Sequence, residues 1–173
     1  PGRRPAGRGE TVTRGDLPGI VLDRRADLTL DSYARAAWGG KPVAFSDAAA
    51  ERMTAAREAF LRLIEDPDVV VYGVTSGYGQ MAKVRFTPEE RKRHAAKPPL
   101  ASNAAFGRPA PDRVARGIVF ARLANFVEGH AAISPPLAQA VAAMLALPSL
   151  PPLPIDGHGG AGEITILSPL FRD

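Results

Sequence analysis

No cysteine occurs among the 173 residues, so the chain has no disulfide framework, no thiolate metal site and no cysteine nucleophile. Histidine is nearly as scarce: His94, His130 and His158 stand far apart, a spacing that argues against a histidine-rich metal centre. No apolar run reaches the length of a membrane span, and none follows Arg3-Arg4 as the core of an export signal. The expectation from these absences is a metal-free, cytoplasmic protein with no membrane partner.

What is abundant is glycine and proline, 17 of each, enough for many turns but short of a low-complexity sequence. Hydrophobic residues at 45% and charged residues at 23% fit an ordinary folded domain. The net charge of +4 is unevenly placed. Residues 1–14 and 85–97 each carry an excess of three positive charges, and the remainder of the chain is slightly acidic. A nucleic-acid binder spreads basic residues along a recognition element with aromatics among them. Here the excess sits in a Gly/Pro/Arg leader and one short segment, so no nucleic-acid partner is expected.

Residues 1–17 hold little to bury and read as a disordered basic leader, followed by one domain over 18–173. Order begins at Ile20-Val21-Leu22. A short helix is predicted from a cap at Asp31 to Trp38, and a second from a cap at Ser46, with Ala49, Met53, Ala56, Phe60, Leu63 and Ile64 as its core stripe. Val69 to Tyr72 is a short extended run entering a glycine-bearing loop. Thr87-Pro88-Glu89-Glu90 is a capping box with proline at the first helical position, opening a polar helix to about Ala96. Asp112 is expected to cap a long helix with Val114, Ile118, Val119, Leu123, Phe126 and Val127 inward. Ser134-Pro135 starts another, with Leu137, Val141, Met144 and Leu145 on its apolar face. A proline-rich connector, 148–154, leads to Asp156-Gly157-His158-Gly159-Gly160-Ala161-Gly162-Glu163. Taken alone, that glycine run is a poor phosphate cradle, because it follows prolines and contains no lysine.

Three segments in order carry a resemblance. Val71-Tyr72-Gly73-Val74-Thr75-Ser76-Gly77-Tyr78-Gly79 resembles the Tyr-Gly-Val-Thr-Thr-Gly-Phe-Gly signature of the histidine and phenylalanine ammonia-lyases. Arg116, Arg122, Asn125 and Gly129 fall at the spacing of the helix that follows in that family, and residues 154–168 resemble the stretch around its Ala-Ser-Gly triad. The resemblance implies a mainly α fold, the N-terminal part of the fumarase/aspartase-like helical architecture with short extended segments. It makes Tyr72 the catalytic tyrosine that takes a β-proton from an amino-acid substrate, and Gly79, Ser102 and Asn103 substrate-binding positions.

The departures carry as much information. Family members cyclise the triad to a methylidene-imidazolone whose electrophilic carbon is the β-carbon of the triad serine. Here Gly160-Ala161-Gly162 replaces the triad, so the cofactor-forming loop is degenerate and no such cofactor is expected. Pro98 stands at the family's Asn position and Asn103 at its His position. The central helical bundle of the family lies outside these residues, which implies a second polypeptide that completes the lyase fold, or a homo-oligomer. Two functions follow: a subunit lending Tyr72 to a composite site, or a catalytically silent assembly or regulatory subunit, in effect a pseudoenzyme. An acid–base role for His158 with Glu163 would depend on geometry. His94 and His130 read as solvated or capping residues.

Overall fold

The computed structural model describes residues 19–96 and 106–156, together with Leu167 and Leu170. The expected leader, Ser102, Asn103, His158, the Gly160–Gly162 loop and Glu163 lie outside the described residues.

The chain opens with a small βαβ unit. Strands β1 (Ile20–Leu22) and β2 (Val43–Phe45) pair in parallel, with Ile20 opposite Val43 and Leu22 opposite Phe45. Helix α1 (Leu30–Ala37) links them. Its cap is Thr29 and not Asp31: the Thr29 hydroxyl accepts from the Ser32 amide at 3.1 Å, and the Ser32 hydroxyl accepts from the Thr29 amide at 2.8 Å. A reciprocal pair of this kind satisfies two orphan donors, which one aspartate a residue or two later cannot do. Asp31 instead faces Arg35 one turn on.

Helix α2 (Asp47–Leu63) starts at the Ser46 cap as its sequence predicts. Helix α3 (Pro88–Ala95) begins with the expected capping box between Thr87 and Glu90. Helices α4 (Asp112–Val127) and α5 (Pro135–Ala143) form an α-hairpin, and α1, α2 and β2 pack around it. The fold is mainly helical, with the short extended pieces that its sequence led us to expect.

The core gathers Leu22, Met53, Val119, Phe120, Leu123 and Leu145, all at most 2% exposed. Tyr33 on α1 meets Phe120 edge-on, with ring centroids 6.0 Å apart. Three of the predicted faces shift: on α2, Leu63 of the expected stripe is exposed and only Ala49 and Met53 are buried. On α5 the buried residues are Ala138 and Ala142, followed by Leu145, whereas Leu137 points outward; small side chains let the helix approach β2 and α4 closely. On α4 Val114 is exposed, and Ala115 and Arg116 take its place inside.

Arg116 is the largest fully buried side chain. Its Nε donates to the Asp112 carboxylate, Nη1 to the Leu145 carbonyl at 2.6 Å and Nη2 to the Leu147 carbonyl at 2.7 Å. Asp112 also accepts from the Leu150 amide. It therefore sits inside the helix, and Pro111 occupies the cap. The first arginine of the family-like helix pattern is thus a clamp between α4 and the chain leaving α5.

Candidate active site

The described residues from 54 to 109 supply no member of the core cluster. The Tyr72 loop and α3 form a small lobe at the C-terminal end of α2, held by polar contacts. Arg85 donates to the Pro67 carbonyl at 2.6 Å, and Arg91 donates to the Ile64 carbonyl. Both guanidinium groups satisfy carbonyls where α2 ends, where the helix dipole favours positive charge.

The valine run before the loop does not become a strand, because the chain folds back on itself at once. Val74 N–H donates to the Val71 carbonyl at 3.0 Å and Gly73 has φ +73°, the signature of a type II turn with Tyr72 at its second position. Thr75 locks the turn: its hydroxyl accepts from the Val71 amide at 2.8 Å and donates to the Val69 carbonyl. Beyond it, Phe86 N–H donates to Thr75 O and Gly77 N–H to Val84 O, which ties the far side of the loop back on itself. The polar Thr75-Ser76 pair is buried and serves this internal bonding.

Tyr72 is 65% exposed, yet its phenol is fixed. The Gly79 amide donates to the Tyr72 oxygen at 2.9 Å. Gly79 has φ +60°, a backbone that only glycine adopts without strain, and that conformation aims the amide at the phenol. The oxygen keeps a lone pair and its own O–H for a ligand. Tyr72 and Gly79, separated by seven residues in sequence, are thereby brought together.

The chain then returns to a second motif. Residues 106–110 and 153–156 lie antiparallel: Ala110 N–H donates to the Leu153 carbonyl at 2.7 Å, Ile155 N–H to Arg108 O, and Asp156 N–H to Phe106 O. Asp156 accepts from the Arg108 amide at 2.7 Å and faces its guanidinium at 3.3 Å. These contacts, the backbone amide foremost, hold the Asp156 carboxyl below its ordinary range. Phe106 and Arg108 are thus fixed to Asp156, the residue before the glycine-rich segment, and α3 packs on the Tyr72 loop through His94.

His94 is the residue whose role its sequence context conceals. It is neither solvated nor capping: its ring lies 4.9 Å from Phe86 and 5.9 Å from Tyr78, with Nε2 3.2 Å from the Gly73 carbonyl. Nothing in a polar helix of alternating charges signals this contact. Glycines 73, 77 and 79 were the only hint that the preceding loop curls back. His130 is exposed as expected.

Among the described residues no group of three or more His, Asp or Glu is placed to hold a metal, and no helix is long and apolar enough to cross a membrane. The sequence model of the aromatic amino acid lyases matches residues 28–172. The chain belongs to that family. Among curated lyases, the histidine ammonia-lyase of Deinococcus radiodurans is 28% identical over 87% of this chain, and that of Gloeobacter violaceus 30% over 87%. The tyrosine aminomutase of Streptomyces globisporus superposes with a TM-score of 0.74 at 26% identity, and the ergothionase of Treponema denticola with 0.77 at 25%, each over 87% of the chain. The chain spans less than a third of the length of these lyase-family relatives, 28–30%.

The family's methylidene-imidazolone does not fit these residues. Its electrophilic carbon derives from a serine side chain, and Gly160-Ala161-Gly162 offers none.

Proposed function

We infer that this chain contributes a tyrosine-bearing loop to a composite site acting on an amino-acid-type substrate, by elimination or aminomutase-like chemistry. The remaining groups of that site are supplied by polypeptide outside residues 1–173. The observation that carries this reading is Tyr72: exposed, outside the core, and held at its oxygen by the Gly79 amide. A tyrosine retained only for packing would bury its ring. In this reading the Tyr72 oxygen accepts the proton from the carbon adjacent to the amine-bearing carbon, and Gly79 keeps that oxygen in place as the proton arrives. Gly79, Ser102 and Asn103 are the substrate-binding positions of this reading. Departure of the amine is not assigned to any residue of this chain, because its own electrophile cannot form.

The missing triad serine favours a second reading, in which the chain is a silent assembly or regulatory subunit that keeps the lyase scaffold. Tyr72→Phe in the assembled protein separates the two. Loss of turnover on aromatic amino acids by at least a hundredfold, with assembly intact, supports the composite site. Unchanged turnover leaves the chain as scaffold.

A further inference from the structure

We propose that His94 is a positioning residue for Tyr72, acting on both ends of the loop that holds the phenol. This deepens the reading above and rests on it. Tyr72 is fixed at two points: its backbone, by the turn through Gly73, and its oxygen, by the Gly79 amide. His94 touches the neighbour of each. The peptide joining Gly73 to Val74 has its N–H on the Val71 carbonyl at 3.0 Å, so its carbonyl faces the opposite way, where His94 Nε2 meets it at 3.2 Å. A carbonyl can only accept, so Nε2 carries the hydrogen. That peptide is therefore gripped from both sides. Glycine at 73 leaves this plane free to rotate once either grip is lost, and rotation would carry Tyr72 with it. At the other end the His94 ring lies against Tyr78, the residue before Gly79, and against Phe86.

The donor and the ring are separable. In His94→Phe the packing on Tyr78 and Phe86 is kept and the donor is removed; in His94→Gln a donor is kept and the ring is removed. Amide hydrogen exchange at Gly79, together with the ring carbon resonance of Tyr72 in tyrosine-labelled chain, reads the phenol's position directly. For His94→Phe we expect exchange at Gly79 to accelerate about tenfold and the Tyr72 resonance to move toward that of a free tyrosine side chain. The Gly77 amide, bonded to Val84, and the α4 amides should stay unchanged. His94→Gln should recover most of the Gly79 protection. Unmoved Gly79 and Tyr72 signals in His94→Phe overturn the proposal. So does a loss of protection shared equally by Gly77 and α4, which would make His94 a general stabiliser. Neither readout needs turnover, so a silent Tyr72→Phe refutes the catalytic reading of Tyr72 and leaves the exchange result intact.

Discussion

Arg116 shows how a residue of a family-like pattern can be structural. Its guanidinium is buried and bonded to the Asp112 carboxylate and to the carbonyls of Leu145 and Leu147. Arg116→Leu removes the donor to the Leu145 and Leu147 carbonyls and leaves Asp112 with the Leu150 amide, and unpaired buried groups cost roughly 1–3 kcal/mol each. We expect a loss of about 3 kcal/mol in denaturant unfolding; Arg122→Leu, an exposed change on the same helix, should cost under about 0.5 kcal/mol. Gly79→Ala behaves differently again. The added Cβ meets nothing within 4 Å, so the penalty is the left-handed backbone alone, roughly 1–2 kcal/mol. It should loosen the Tyr72 contact and leave the midpoint of global unfolding nearly unchanged. Asp156 and Asp23 carry the acid response. The Arg108 amide lowers the first below 3.8, and the Ser46 hydroxyl, with Arg52 and Arg24 nearby, lowers the second. Because both folded values are depressed, their stabilisation is complete above about pH 4 and disappears as pH falls through the folded values. Asp156→Asn should flatten the fall in urea midpoint between about pH 4 and pH 2; an identical slope would show that the Asp156 carboxylate, bonded first to the Arg108 amide, contributes nothing.

At the scale of elements, the starts at Ser46, Thr87 and Ser134 were legible in the sequence, those expected at Asp31 and Asp112 fell two residues and one residue too late, and inward faces were less legible. Ser46 and the Thr87–Glu90 box are local devices in which side chain and backbone meet within four residues, so composition and spacing alone reveal them. Faces depend on partners. The α2 stripe illustrates the difference: Ala49 and Met53 are fully buried, while Leu63, on the same stripe, is 49% exposed, because α4 and α5 cover only the first half of the helix. Met53→Ala should therefore cost about 2–5 kcal/mol, and Leu63→Ala less than about 1 kcal/mol, in thermal or denaturant unfolding. Leu137 misled for the same reason, since close packing selected alanines over the bulkier residue beside them. Of the candidate site, Tyr72 and Gly79 were singled out only by the family-like pattern of residues 71–79; the positive φ of Gly73 and Gly79 is what the structure adds. The His94 contact was not legible, because it joins residues 21 apart across a turn that periodicity cannot describe.

At the scale of the whole molecule, two expectations remain open to measurement. Intact mass should equal the sequence value: a deficit of the water lost in ring closure would show that the degenerate loop still cyclises. Association is the second. Val114, Leu137 and Leu63 expose apolar surface on α4, α5 and α2, and an obligate partner would cover it over an area above the roughly 1,600 Å² of a standard complex. Sedimentation of the purified chain checks this; a stable, compact monomer of 18.3 kDa that binds no other chain refutes both functional readings.

The separation of the Tyr72 lobe from the hydrophobic core has an evolutionary consequence. Selection for a chain that folds acts mainly on Leu22, Met53, the α4–α5 hairpin and the Arg116 clamp, and less on residues 66–96, which lie outside the core. Substitutions can therefore accumulate in the Tyr72 lobe at lower cost to folding than around Arg116. Within the lobe two kinds of residue part company: Gly73, Thr75 and Gly79 are held by the turn they build, whereas the fold places no such demand on the exposed ring of Tyr72.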